Sequence, residues 1–349
     1  MLHHPISRNF SCRTDHDNTH LLKDEMNSPH LTSADQAGQH GKAPFCVRGL
    51  CAAPFTPFGD DGALDEAVVA QQAARLAAGN VLYAFVAGTT GEGLLMSLDE
   101  RMRLAGLWVQ AGRAHGVRII VHVGSESPVD VHRLASHAAA IGADAIATIA
   151  PSFFKPQGAH GVHTLLAGVA AAAPSIPLYY YHIPSMTGVN IDVCELLRMC
   201  GDIPSFRGVK FTDANLAGYF DAAQEFPQYD LLYGRDEQLL GALAMGARGA
   251  VGSTYNYMPG PYNRMIAAFA RGDMESAREE QRRANTVIRL LGLGGARYGA
   301  PGGDVGKAIL SLKGVKMGGS RAPKVGLPPS GVQKLRQDLD DINFFAWCD

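Results

Sequence analysis

Eight short apolar runs recur along the chain, and their spacing limits the folds open to it. They are VRGLCAAP (47–54), VLYAFV (81–86), VRIIVHV (117–123), ADAIATIA (143–150), IPLYYY (176–181), FRGVKF (206–211), YDLLYG (229–234) and ARGAVG (247–252). Successive runs lie roughly 20–35 residues apart, room for a strand, a loop and a crossover helix. Between them are Ala- and Leu-rich stretches of helical period, such as LDEAVVAQQAARLAAG (64–79) and SLDERMRLAGLWVQAGRA (97–114). Ser97 followed by Glu100 has the spacing of a capping box and marks a helix start. Near-continuous apolar strands are buried on both faces, which calls for a parallel sheet covered by helices. Eight strand–helix units in series predict a (β/α)8 TIM barrel rather than a doubly wound sheet. An open dinucleotide-binding sheet needs G-x-G-x-x-G after its first strand, and CAAPFTPFG has none.

Beyond residue 260 the pattern is helical only, through YNRMIAAFARGD, MESAREEQRRANTVIRLLG and a periodic stretch that begins at Gly331. The chain therefore divides into a barrel over 45–260 and a C-terminal helical extension over 261–349. Residues 1–44 are different: polar, rich in His, Ser, Asp and Asn, and nearly without periodicity. That composition predicts a disordered extension. It has no apolar core of a secretory signal, and its acidic residues argue against a transit peptide. His3, His4, His16, His20, His30 and His40 are too irregularly spaced for a designed metal site. A formal net charge of −2 gives no pull toward nucleic acid or an anionic membrane. No apolar run approaches the ~18 residues a bilayer span needs. The 6 Cys form no C-x-x-C pair and read as reduced thiols of a cytoplasmic protein.

In a barrel of this kind the chemistry sits at the C-terminal ends of the strands. After the second run comes AGTTGEG (87–93), whose glycines crowd backbone N–H groups together while Thr89 and Thr90 add hydroxyls. This is a cradle for a small anion such as a carboxylate; without a G-K-[ST] ending it is not a phosphate loop. Taken alone, the same stretch is equally a tight turn with a capping threonine. The fifth run ends in YYYHIPSMTG (179–188), where alternation sets Tyr179 and Tyr181 on one face and Tyr180 on the other. A strand tyrosine is in most cases packing, yet an inward Tyr181 at the barrel mouth could hold its hydroxyl over a substrate. The sixth run delivers Lys210, with Thr212 on the same face. The seventh delivers Gly234, Arg235, Asp236 and Glu237, and the eighth Gly252 and Ser253.

An amine at a barrel centre is costly to keep charged, and burial favours the neutral form that attacks carbonyls. Amine plus ketone gives an iminium, which withdraws electrons from the neighbouring carbon–carbon bond. A phenol can shuttle protons to the atoms being made or broken. With a carboxylate cradle beside them, these parts describe Schiff-base aldol chemistry on a 2-oxo acid.

Together GTTGEG, YYYHIPSMTG, GVKFTDAN, YGRDEQLL and GAVGSTYNYM resemble the N-acetylneuraminate lyase / dihydrodipicolinate synthase superfamily, and most of all its sialic acid lyase branch. The likeness covers roughly residues 45 to 345, including GKAILSLKGVKMGGSRAP (306–323). The resemblance implies Lys210 as the Schiff-base lysine, Tyr181 as the proton relay, and Thr89 and Thr90 as ligands of the pyruvate carboxylate. It implies a sugar-side pocket of Thr212, Gly234, Asp236, Glu237, Gly252 and Ser253, no metal or other cofactor, and a homotetramer. Two positions depart from relatives. Met186 stands where dihydrodipicolinate synthases carry an arginine for a second carboxylate, and a buried carboxylate without a partner costs several kcal/mol, which disfavours that substrate. In PSFFKP (151–156), Phe153 replaces the tyrosine that many relatives insert into a neighbouring subunit, leaving Thr89 and Tyr181 to carry protons. The implied activity is reversible cleavage of N-acetylneuraminate. The rivals are an aldolase for another 2-keto-3-deoxy sugar acid, dihydrodipicolinate synthase, and a non-catalytic sugar-acid-binding scaffold.

Overall fold

The computed structural model describes residues 45–292 and 294–349; the extension predicted over 1–44 lies outside them. Each apolar run holds one strand: β1 (Gly49–Ala52), β2 (Tyr83–Val86), β3 (Arg118–His122), β4 (Ala145–Ile149), β5 (Leu178–His182), β6 (Phe206–Phe211), β7 (Asp230–Tyr233) and β8 (Gly249–Gly252). All pair in parallel, in chain order, and β8 closes on β1, with Gly49 opposite Gly249 and Ala52 opposite Gly252. The expected (β/α)8 barrel is the observed fold.

Burial on both faces explains why these strands read as apolar runs rather than as alternation. One face fills the barrel with Cys51, Phe85, Ile120, Ala147, Tyr179, Tyr181, Leu232 and Val251. The other face, with Val86, Ile119, Ile146, Tyr180 and Val209, packs under the surrounding helices. Tyr179 and Tyr181 thus point inward and Tyr180 outward, as the alternation predicts.

The helices between strands are α1 (Ala67–Ala78), α2 (Leu98–His115), α3 (Pro128–Ala140), α4 (Gly158–Ala172), the single turn α5 (Pro184–Thr187), α6 (Val193–Met199), α7 (Leu216–Glu225) and α8 (Leu239–Ala244). The capping box at α2 is present: the Ser97 hydroxyl accepts from the Glu100 N–H, and the Glu100 carboxylate accepts from the Ser97 N–H. Asn215 caps α7 by accepting from the Gly218 N–H at 3.0 Å, so the end of GVKFTDAN is a strand-to-helix turn. After β8 come α9 (Pro259–Ala270), α10 (Met274–Gly292), α11 (Val305–Leu312) and α12 (Pro329–Asp341). Position 260 falls in the first turn of α9, and residues 45–349 form one compact unit. Among the described residues no helix is long and apolar enough to cross a membrane.

Candidate active site

Lys210 lies on β6 in register with Tyr181 on β5, so the amine and the phenol leave neighbouring strands at one level of the barrel. The lysine is only 4 % exposed. Its Nζ sits 3.8 Å from the centroid of the Tyr181 ring and 4.2 Å from that of Phe85. Aromatic faces therefore take the place of water around the amine. The Tyr181 hydroxyl is 3.4 Å from Thr89 Oγ1, within reach of a weak hydrogen bond.

Thr89 belongs to the loop that follows β2. Ala87 and Glu92, with φ of 58° and 56°, bracket it in the left-handed region, which is unfavourable for residues with a Cβ. The Glu92 and Gly93 N–H groups fold back onto the Thr89 and Gly88 carbonyls. The N–H groups of Thr89 and Thr90 have no backbone acceptor among the described residues, which leaves them available to an anion.

These residues open into a cavity of about 330 Å3, a volume suited to a small metabolite. Thr89, Thr90, Tyr181, Lys210, Thr212, Gly234, Asp236, Glu237, Gly252 and Ser253, all ten anticipated site residues, line it. The buried Thr212 hydroxyl has no partner among the described residues and is free for a ligand. Gly234 makes room for that hydroxyl: a Cβ there would stand 1.9 Å from Thr212 Oγ1. At Gly252 a Cβ would stand 1.9 Å from Asp236 Oδ1, so this glycine admits the carboxylate. Burial raises the Asp236 carboxyl above its usual range, opposed by hydrogen bonds from the Thr254 hydroxyl (2.6 Å) and N–H (3.0 Å). Glu237 pairs with Arg235 at 2.7 Å on the cavity wall.

Met186, on α5, also lines the cavity and offers no partner to an anion. Phe153 is 80 % exposed and sits edge-on to Phe154, which is 82 % exposed. It does not line the cavity of its own chain.

Two contributions escape the sequence pattern. Ile288 and Leu291 bring α10 over the cavity, while Gln281 and Asn285 on the same helix donate to the carbonyls of Asp236 and Glu237. The other is His122, at the end of β3. Its Nδ1–H donates to the Ala87 carbonyl at 3.1 Å, and its Nε2 is buried without a partner among the described residues. Burial, with the Arg101 and Lys210 charges, pushes this imidazole well below its usual range and keeps it neutral. A histidine inside VRIIVHV was the available signal. Among the described residues no cluster of three or more His, Cys, Asp or Glu is arranged to hold a metal ion.

Residues 46–341 match the dihydrodipicolinate synthetase family. The chain belongs to this family. Among family members, the chicken N-acetylneuraminate lyase is 44 % identical over 314 residues, 87 % of this chain and 97 % of that protein. The mouse N-acetylneuraminate lyase is 43 % identical over 308 residues, 86 % of this chain and 94 % of its own length. Among solved structures, the Proteus mirabilis N-acetylneuraminate lyase superposes with a TM-score of 0.80 at 34 % identity, covering 86 % of this chain and 100 % of that one. The Aliivibrio salmonicida sialic acid aldolase gives 0.80 at 35 %, covering 86 % and 98 %.

Proposed function

We propose that this protein is a Schiff-base aldolase that reversibly cleaves N-acetylneuraminate to N-acetylmannosamine and pyruvate. The observation that carries the reading is the amine of Lys210, buried against Tyr181 and Phe85 at the floor of a cavity that also holds the Thr89–Thr90 loop. The names of its relatives supply the substrate.

The substrate's carboxylate takes hydrogen bonds from the hydroxyls and free N–H groups of Thr89 and Thr90, which turns C2 toward Lys210. The amine adds to the C2 ketone and water leaves, forming the iminium. Tyr181 takes the proton of the C4 hydroxyl as its own passes through Thr89 to the substrate's carboxylate; the C3–C4 bond breaks, its electron pair moves into the iminium to give the enamine, and the aldehyde carbon forms at C4. Proton return to C3 of the enamine and addition of one water release pyruvate and restore the lysine. The imine is itself the electron sink, so the reaction so written calls on no further cofactor. Thr212, Ser253, Asp236 and Glu237 supply donors and acceptors for the hydroxyls of the sugar, with Gly234 and Gly252 keeping the space open.

The exposed Phe153–Phe154 pair supports burial against another copy, and a homotetramer is the assembly proposed. The described cysteines, Cys46, Cys51, Cys194, Cys200 and Cys348, are all free thiols, which supports a reducing, cytoplasmic setting.

The test is turnover and trapping together. The protein is expected to release pyruvate from N-acetylneuraminate faster than from shorter 2-keto-3-deoxy sugar acids. Pyruvate with borohydride should add a stable mass to the Lys210 peptide, lost in Lys210→Ala. Trapping with turnover only of another sugar acid would reassign the substrate, and ligand binding without any reducible adduct would mark a scaffold.

A further inference from the structure

A buried ion pair joins the C-terminal segment to the loop that carries Thr89 and Thr90. Lys307 on α11 and Glu92 of GTTGEG meet at 2.9 Å, with side chains 3 % and 0 % exposed. The two residues lie 215 positions apart. Both carboxylate oxygens of Glu92 and two of the three Lys307 N–H donors are occupied. Lys307 Nζ also donates to the Gly319 carbonyl at 2.6 Å, and the second Glu92 oxygen accepts from the Arg321 N–H at 3.0 Å. The ammonium stands 4.6 Å over the Phe58 ring, and the Arg321 guanidinium 4.4 Å from it. Arg321 continues the clamp to the Leu95 carbonyl and to Glu100, at the start of α2.

The backbone of the loop needs such a clamp. Glu92 is held at φ 56° and Ala87 at 58°. Gly93 is pressed onto the Ala87 carbonyl so closely that a Cβ would lie 1.9 Å from its oxygen. A loop folded this way keeps its shape only where its surroundings over-determine it. The same Glu92 N–H that accompanies the buried carboxylate binds the Thr89 carbonyl, so a shift of Glu92 passes directly to Thr89.

We infer that Glu92 and Lys307 are positioning residues: their buried pair sets the geometry of the Thr89–Thr90 cradle and thereby the affinity for the 2-oxo acid. The inference rests on the assignment of that loop to the carboxylate. Losing one partner strands a buried charge, whereas replacing both by neutral groups of similar shape is often tolerated. Stability and positioning can therefore be separated.

The experiment compares the full-length protein with Glu92→Gln, Lys307→Met and the double variant. It reads the thermal midpoint and the pyruvate concentration that half-saturates borohydride trapping on Lys210. Each single variant is expected to lose both stability and affinity. The double variant is expected to regain the thermal midpoint while its half-saturating pyruvate stays raised about tenfold or more, with trapping still complete at saturation. Recovery of both quantities would reduce the pair to a brace of the fold and overturn the inference, as would a lowered midpoint with unchanged half-saturation. Should the double variant not fold, Lys307→Arg keeps the charge while changing its reach; raised half-saturation supports positioning, and unchanged half-saturation overturns it. A wild-type protein that traps no pyruvate would instead defeat the Schiff-base assignment, an outcome distinct from all of these.

Discussion

At the scale of single residues, the site separates bond formation from proton transfer. Lys210 makes the covalent link, and Tyr181 sits beside it with a hydroxyl turned to Thr89. Tyr181→Phe keeps the ring against the amine and removes only the hydroxyl that exchanges protons. It is expected to leave borohydride trapping of pyruvate intact while turnover falls roughly 10²- to 10⁴-fold, the range for a positioned acid–base group. Equal loss of trapping and turnover would mean that the tyrosine acts on the imine instead. Lys210 and Tyr181 were legible because a charge and a phenol interrupt otherwise apolar strands at their C-terminal ends. His122 interrupts one as well, but no neighbouring residue singles it out; only the fold brings it against the Tyr181 and Phe85 rings, at centroid distances of 6.0 and 5.9 Å.

At the scale of elements, strand ends and the turns after them decide what the cavity can hold. Gly234, just past β7, and Gly252, the last residue of β8, yield space to Thr212 and Asp236. Gly234→Ala is expected to push the Thr212 hydroxyl aside and raise the KM for the sugar acid, with pyruvate trapping little changed because Lys210 and the Thr89 loop are untouched. Steady-state kinetics beside trapping measures both, and a variant that loses trapping first would refute the division of the site into acid and sugar sides. The strands themselves were readable because two-sided burial writes an apolar run, and the helix start at Ser97 because capping is local. The role of α10 was not readable. Gln281 and Asn285 recur four residues apart in a helix rich in Arg and Glu, a pattern shared by any solvated face. Their partners are main-chain carbonyls of Asp236 and Glu237, which leave no mark in the side-chain sequence.

At the scale of the whole molecule, the pH response follows from histidines sealed in the neutral state. Burial, partly opposed by Asp213, takes His182 down to about 4, and burial takes His122 well below its ordinary value. The unfolded chain protonates both near 6.5, whereas the folded one does not. Stability is therefore full above that value and is lost as pH falls toward the folded values. Each histidine adds up to about 1.4 kcal/mol per pH unit to the slope. Urea unfolding at pH 7.5, 6 and 5 checks this, and His182→Phe is expected to flatten the curve relative to wild type; parallel curves would show that the ring titrates freely. Pairings of this range, like that of Glu92 with Lys307, are the part of the architecture that local patterns cannot supply. Periodicity reports which face is buried, not which distant surface covers it.

The register of β1 against β8 has a consequence for how the chain is made. These strands are neighbours, yet one is synthesised about 200 residues before the other. Until β8 leaves the ribosome, β1 waits with one unpaired row of amides and carbonyls, and the growing sheet advances a second such row at its other margin. The ring thus protects itself from sticking to its copies only at the final stitch, and the interval before that stitch is when a chaperone has most to guard.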